Sequence, residues 1–353
     1  MKSGRSLSDL ALELERQRGT KKDMVVPSSR MTYRTNAIGI PEMGIDEQDG
    51  ARHYGVSKLA CRQLSDKLKI PYAYFERMRN DAPQLLDANV NHWLQDDIER
   101  RLVRVLDAEV RAVLSERYRR LDNWDLVEHV LPMLLRLPGA RFESVQMTDT
   151  RLYIKVVTPQ VQFEVAPCDV VQAGVVVSNS EVGCGSLSVQ PLVYRLVCRN
   201  GLIASDGALR KTHVGRLLAG GDDGVTVFRD DTVRADDQAF FLKVRDVVEA
   251  TVSESTLRVV GERMRRTRGI PITGDPVRSV EVLAQKFSLN EGERTGVLRH
   301  LIQSGDLTGY GLVNAVTHFA EDVADYDRAT EFEQLGGRML ELSALDWKLV
   351  AGV

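Results

Sequence analysis

Cysteine is scarce and badly placed for joint work. Cys61, Cys168, Cys184 and Cys198 are scattered with no Cys-x-x-Cys spacing, which argues against a thiolate zinc site and a disulfide framework and points to reduced thiols. Long apolar runs are missing too: no stretch approaches the ~18 residues of a membrane span. The first residues, MKSGRSLSDLALELERQRGTKKD, have charges interleaved with their leucines and lack the apolar core of a secretory signal. A cytoplasmic protein with no membrane partner is therefore expected. Excess charge is also lacking. The net charge is −3 over 353 residues, so any affinity for nucleic acid must come from a local basic patch. The phosphate-loop, HExxH, GxSxG and DFG patterns do not occur.

What is present is an ordinary globular composition, 43% hydrophobic and 27% charged. The pattern divides the chain into three regions. Residues 1–56 read as a short amphipathic helix followed by an extended arm with one short strand near Met31–Ile38. Residues 57–235 read as an α+β core. Ser57 caps a helix that Ile70-Pro71 stops, a second helix follows at once, and a third spans about Pro83–Glu99. Two short strands turn at Asp107–Glu109, and a helix starts at Asp122 or Asn123. An antiparallel β-meander over residues 140–199 follows, with strand candidates RFESVQM, RLYIKVV, VQFEV, DVVQAGVVVSNS and SLSVQPLVYRLVCR. Residues 236–353 read as helical, opening with one long helix over about 236–266. The expected fold class is α+β: a central antiparallel meander flanked by an N-terminal helical part and a C-terminal helical half.

The stretch SNSEVGCGSLSVQPLVYRLVCRNGLI, residues 178–203, is the most unusual. Its Gly-Cys-Gly leads into a strand, whereas phosphate cradles lead into a helix, so a hairpin connection is the simplest reading. Leu187, Val189, Leu192, Tyr194, Leu196 and Cys198 look buried, but their parity flips at Gln190-Pro191, which predicts a bulge there. The other parity carries Arg195 and Arg199. In RLYIKVV the outward parity carries Arg151, Tyr153 and Lys155. If these share an exposed sheet face, cations around an aromatic ring could hold a nucleic-acid strand. The competing reading is an ordinary solvated face, or one roofed by a helix carrying acids. A second basic cluster, with Arg263, Arg265 and Arg266 among its members, crowds the end of the long helix. Helix-dipole capping explains part of it, and phosphate contact is the alternative.

Catalytic constellations are weak. His318-x-x-Glu321 lacks the second copy that a helical metal site needs, and Asp206 near His213 reads as a helix cap. No catalytic residue, metal site or cofactor is expected.

Four segments, KLACRQLSDKLKIPYAYFERM, LSERYRRLDNWDLVEHVLPML, SNSEVGCGSLSVQPLVYRLVCRNGLI and GYGLVNAVTHFAEDV, resemble in this order an uncharacterised phage/plasmid-like family known as a domain of unknown function. The matching patterns are QLA-x-x-LGIP-x-x-Y, LS-x-RY-x-x-LDN, SN-(S/D)-x-G-x-G and R-(L/V)-V-C-x-N, over about residues 55–325. Lys69 stands where glycine is usual. The resemblance implies a prophage or plasmid setting and brings no catalytic residue with it. By fold analogy alone, a meander followed by a helix is similar to single-strand annealing proteins. The expected function is that of a non-enzymatic, mobile-element DNA-binding protein that binds or anneals single strands for recombination, with homo-oligomerisation possible. The alternatives are a metal-dependent nucleic-acid enzyme and a protein-interaction module in phage–host conflict.

Overall fold

The computed structural model describes residues 1–47, 50–118, 120–205, 209–211 and 230–352, with backbone alone for 209–211 and 230–237. Asp206 and His213 lie outside the described residues. The fold is α+β, with helices at both ends and strands in the middle.

Two sheets carry the molecule. The first is a correction to the extended arm. After α1 (Leu7–Thr20), residues 22–56 supply β1 (Lys22–Pro27), β2 (Met31–Thr35), β3 (Pro41–Glu47) and β4 (Gly50–Val56). They join β5 (Arg100–Leu106) and β6 (Glu109–Ser115) in the order β1-β5-β6-β4-β3-β2. The arm's turn-formers mark the ends of short strands: β2, β3 and β4 pair locally in sequence, whereas β1 pairs some 80 residues away, as in Asp23↔Arg104. Helices α2 (Lys58–Lys67), α3 (Tyr72–Asp81) and α4 (Pro83–Asp96) cover one face of this sheet over a core that includes Tyr33, Met43, Phe75 and Val103.

After α5 (Asn123–Leu135) comes the meander: β7 (Arg141–Met147), β8 (Leu152–Ala166), β9 (Asp169–Asn179) and β10 (Leu187–Arg195), extended by β11 (Gly201–Ile203) and β12 (Leu209–Lys211). RLYIKVV and VQFEV are one strand, not two. Its irregular pairing between Thr158 and Gln162 absorbs Pro159 without ending the ladder. The bulge expected at Gln190-Pro191 is absent, since β10 pairs with β9 in unbroken register from Ser188 to Arg195. Pro191 instead faces the gap between β12 and β11, where its carbonyl accepts from the Ala204 N–H. A strand residue's N–H and C=O point to the same side, so the missing proline donor falls where no ladder bond is needed. Leu196 and Cys198 are not buried as expected, and Leu196 is 38% exposed, because the strand ends at Arg195.

The apparent parity flip arises because both faces of β10 are covered. One face, with Ile154, Val156, Val175 and Val193, belongs to the main core with α5, α6 (Asp230–Thr251) and α7 (Glu254–Arg268). The other, with Tyr153, Lys155, Val157 and Leu192, lies beneath α11 (Tyr326–Leu340). Gly337 lets α11 come this close, since a Cβ there would overlap the Ile203 carbonyl. Gly337→Ala is expected to cost about 1–3 kcal/mol, the usual penalty for overpacking, read from the urea midpoint.

The single long helix expected over 236–266 is two, α6 and α7. Ser253 breaks it by accepting from the Thr256 N–H as the N-cap of α7. Beyond it, α8 (Pro276–Phe287), α9 (Glu291–Ser304), α10 (Gly309–Phe319) and α12 (Ala344–Ala351) complete the helical half. Among the described residues, no helix is long and apolar enough to cross a membrane.

Candidate functional site

The sheet face proposed from RLYIKVV and RLVCR does not exist as a surface. Tyr153 and Lys155 share a face as the alternation implied, but α11 roofs it. Tyr153 packs against the Tyr326 ring at 5.4 Å, and burial pushes its phenol pKa far above the usual value. Lys155 is fully buried, with Nζ donating to Glu333 at 2.6 Å and Thr330 at 3.1 Å. Arg195 donates to both oxygens of Asp169, at 2.7 and 2.8 Å, and stacks over Tyr310. Arg151 turns its guanidinium onto the Cys184 carbonyl. Only Arg199 of the five is solvent-exposed. The alternative of a roof helix carrying acids is the one realised.

The helix-end arginines fare differently. Arg263 lies 3.9 Å from Glu341. Arg265 stacks on Phe163 at 4.3 Å, pairs with Glu262 and donates to strand carbonyls of β8. Arg258, Arg266 and Arg268 are exposed, and none of them has a side-chain hydrogen bond or ion pair among the described residues. Arg258 and Arg266 lie two turns apart on the solvent side of α7, opposite the buried Leu257, Val260 and Met264.

A second constellation was not foreseen. Where α1, the first sheet and the β9–β10 loop meet, a charged network replaces apolar packing. Arg104, fully buried, donates Nε and Nη2 to the two oxygens of Asp23 at 2.9 Å, Nη2 to Asp122 at 2.5 Å and Nη1 to the Glu181 carbonyl at 2.8 Å. Lys21 bridges Glu181 and Asp122 at 2.7 and 2.9 Å. The Asn123 N–H donates to Glu181 Oε1 at 2.6 Å. Burial alone would raise the pKa values of both acids. The charges of Arg111 and Lys21 nevertheless hold Glu181 below the usual carboxylate range, and those of Arg104 and Lys21 do the same for Asp122. Asp122 is the N-cap residue of α5 by position, but its side chain is spent on this network and makes no cap bond.

Beside the network opens a groove of about 490 Å³, lined by α1, the N-terminus of α2, the β5–β6 and β7–β8 turns and the β9–β10 loop. The quoted segments close in around it. Gln63 of α2 bonds the Val182 carbonyl at 2.7 Å and accepts from the Val113 N–H at 2.9 Å. Tyr118 reaches the Ser180 carbonyl at 2.9 Å, and Asn179 donates to Asn123 at 2.9 Å. The glycines of the loop serve close approach: Gly183 (φ 78°) packs on Leu114, and Gly185 (φ 146°) lies under the Arg151 guanidinium. At the far end of β10, Arg195 donates to Cys198 Sγ at 3.2 Å and Asn200 to Thr317 at 2.6 Å, tying the RLVCRN turn to α10.

One family's model matches the chain from residue 110 to 338, which takes in Arg111, Asp122 and Glu181 but not Lys21, Asp23 or Arg104. The chain belongs to that family, described as Domain of unknown function (DUF932). No curated protein and no solved structure matches it. In this DUF932 chain, the residues that join the segments are mostly scaffold. Asn179, Asn200 and Tyr118 hold loops, and Gly183 and Gly185 let them approach. The residues missed were Arg104, Arg111 and Glu181. A signal existed: RLVRVL and EVRAVL each place an arginine inside an otherwise apolar strand, a position that demands a buried partner. The His318 ring lies tilted against that of His300, 4.5 Å between centroids, and His300 lies 2.8 Å from Asp322. Among the described residues, no group of three or more His, Cys, Asp or Glu side chains could hold a metal ion.

Proposed function

We propose that this protein binds nucleic acid, preferentially as a single strand, along the exposed face of α7. The observation that carries the reading is the row Arg258, Arg266 and Arg268, exposed and unpaired among the described residues, on a chain whose net charge gives no general reason for free cations. Capping the helix dipole uses charge in the last turn only, and Arg258 lies well before it. Arg258 and Arg266 share one face of α7 and Arg268 stands at its end; free guanidinium groups of this kind suit a phosphate backbone without reading sequence. Arg265 over Phe163 adds a guanidinium plane on which a base could stack. A cytoplasmic, mobile-element DNA-handling role is the setting this reading fits, with strand binding or annealing as the activity.

The test is the salt dependence of single-strand binding. Replacing Arg258, Arg266 and Arg268 together with Gln is expected to weaken binding of a poly-dT oligonucleotide. The slope of log K against log salt should flatten by about 0.7 per lost contact. The side chains are exposed, so the thermal midpoint should not move. Unchanged affinity and slope would mean that the row serves solubility alone.

A further inference from the structure

The sequence groups Arg265 with its neighbours on α7, but its surroundings set it apart. Strand β8 outruns β7: their pairing ends at Arg141↔Val157, so beyond Thr158 one edge of β8 has no strand beside it among the described residues. Arg265 of α7 meets that edge. Its Nε donates to the Val165 carbonyl at 3.4 Å and its Nη2 to the Glu164 carbonyl, at the irregular pairing between Glu164 and Ala166. Its Nη1 donates to Glu262 at 3.0 Å. One face of the guanidinium lies on the Phe163 ring, 4.3 Å from the centroid. Gly261, about one turn earlier on the helix, makes room for that ring, since a Cβ there would overlap it. Three hydrogen bonds in the plane and a ring beneath it fix the guanidinium in place. The side chain is still 45% exposed, and with the edges and the inner face engaged, the face left for a ligand is the outer one.

The charges around this platform decide what can land on it. Arg258 and Arg266 stand free on the same helix among the described residues, and Arg263 is turned to Glu341. Two acids lie at the platform itself: Glu262, and Glu164, whose side chain accepts from the Cys168 N–H at 3.2 Å. A phosphate over Arg265 would face both acids. A neutral flat group would meet only a cationic plane, and bases stack on guanidinium planes of this kind. In a duplex the base faces are covered by their neighbours in the stack, so only an unpaired base can present one. We infer that Arg265, seated on Phe163, selects unpaired bases at the α7 site, and that Arg258, Arg266 and Arg268 supply affinity without distinguishing single strands from duplexes. The inference rests on the α7 reading above. The guanidinium N–H groups lie in its own plane, so the selection is for an open base face and not for base identity.

The test compares one mixed-sequence oligonucleotide as a single strand and as its duplex, by fluorescence anisotropy on the whole chain. Arg265→Lys keeps the charge and loses the plane. Its single-strand affinity is expected to fall by about 5- to 10-fold, the lower end of the worth of one stacked base. The salt slope should not change, because the charge is kept, and duplex affinity should stay at the wild-type value. Phe163→Leu leaves every charge in place and removes the ring that holds the guanidinium flat. It should lower the ratio of single-strand to duplex affinity in the same direction, and it stands in if the thermal midpoint shows that the lysine variant does not fold. Equal losses for the two forms would make Arg265 one more phosphate contact and overturn the inference, while leaving the α7 reading intact. An unchanged ratio in both variants would do the same. Absence of wild-type binding to either form would overturn the α7 reading and this inference with it.

Discussion

Glu333→Ala is expected to lower the unfolding free energy by about 3–5 kcal/mol, the usual result of stranding a buried charge. Lys155 and Glu333 are both fully buried, with Nζ and Oε2 2.6 Å apart. The ammonium also lies 4.7 Å from the Tyr326 ring, and Thr330 takes a second N–H. Burial by itself would lower the Lys155 pKa, but Glu333 outweighs it and the pKa is raised. A raised lysine pKa contributes stability fully present below its unfolded value and lost only as pH rises through the folded one. The pair is therefore intact at neutral pH, and the alanine variant leaves the lysine charged with no carboxylate. The double variant Lys155→Met/Glu333→Leu removes both charges and should return close to wild-type stability, because apolar replacements of buried pairs are often neutral. Urea unfolding monitored by tryptophan fluorescence measures all three. A Glu333→Ala loss below about 1 kcal/mol, under the range for a broken buried pair, would show that water reaches the pair. A double variant as unstable as the single would show that packing under α11, not charge, is what matters.

Arg104→Met should be comparably damaging, again by about 3–5 kcal/mol, since it leaves Asp23 and Asp122 facing a buried apolar side chain. It should also change the response to acid. Asp122 and Glu181 have pKa values below their ordinary ones. Depressed carboxyl pKa values contribute stability that is present above the unfolded value of about 4 and is lost as pH falls through the folded values. The wild-type protein should thus lose stability as pH falls from about 5 toward 2. In Arg104→Met the depression is weaker, so the unfolding free energy should fall less steeply over that window. Urea midpoints at several pH values read both effects. Parallel pH profiles for variant and wild type would show that this network does not carry the acid sensitivity.

How much of this was legible beforehand follows from which interactions are local. Capping residues and period set the helices, so the helical character of residues 236–353 was legible, and Ser253 would have divided α6 from α7 had its capping role been given weight. The β5–β6 and β9–β10 hairpins were legible because the turn chemistry and both strands lie within one short stretch. The rest of the first sheet was not: β1 pairs with β5 across a long separation, and the short strands β2, β3 and β4, though they pair locally, carry too little alternation to stand out from an extended arm.

The alternation in RLYIKVV by itself determined that Tyr153 and Lys155 share one side of the sheet, and α11 decided that this side is interior. Period 2 records which residues point the same way and carries no information about what lies above them. The same holds for charge. The sequence determined that Arg104 and Arg111 sit among apolar neighbours, so that each needs a partner. Only the tertiary structure decided that both meet Glu181, beside a groove, because the separations along the chain are bridged by sheet packing and not by local geometry. On α7 the sequence was sufficient for the clustering, since residues three, four, seven and eight apart share a helix face. Which of its arginines stay free was settled by the neighbours that engage Arg263 and Arg265 and leave Arg258, Arg266 and Arg268 in solvent.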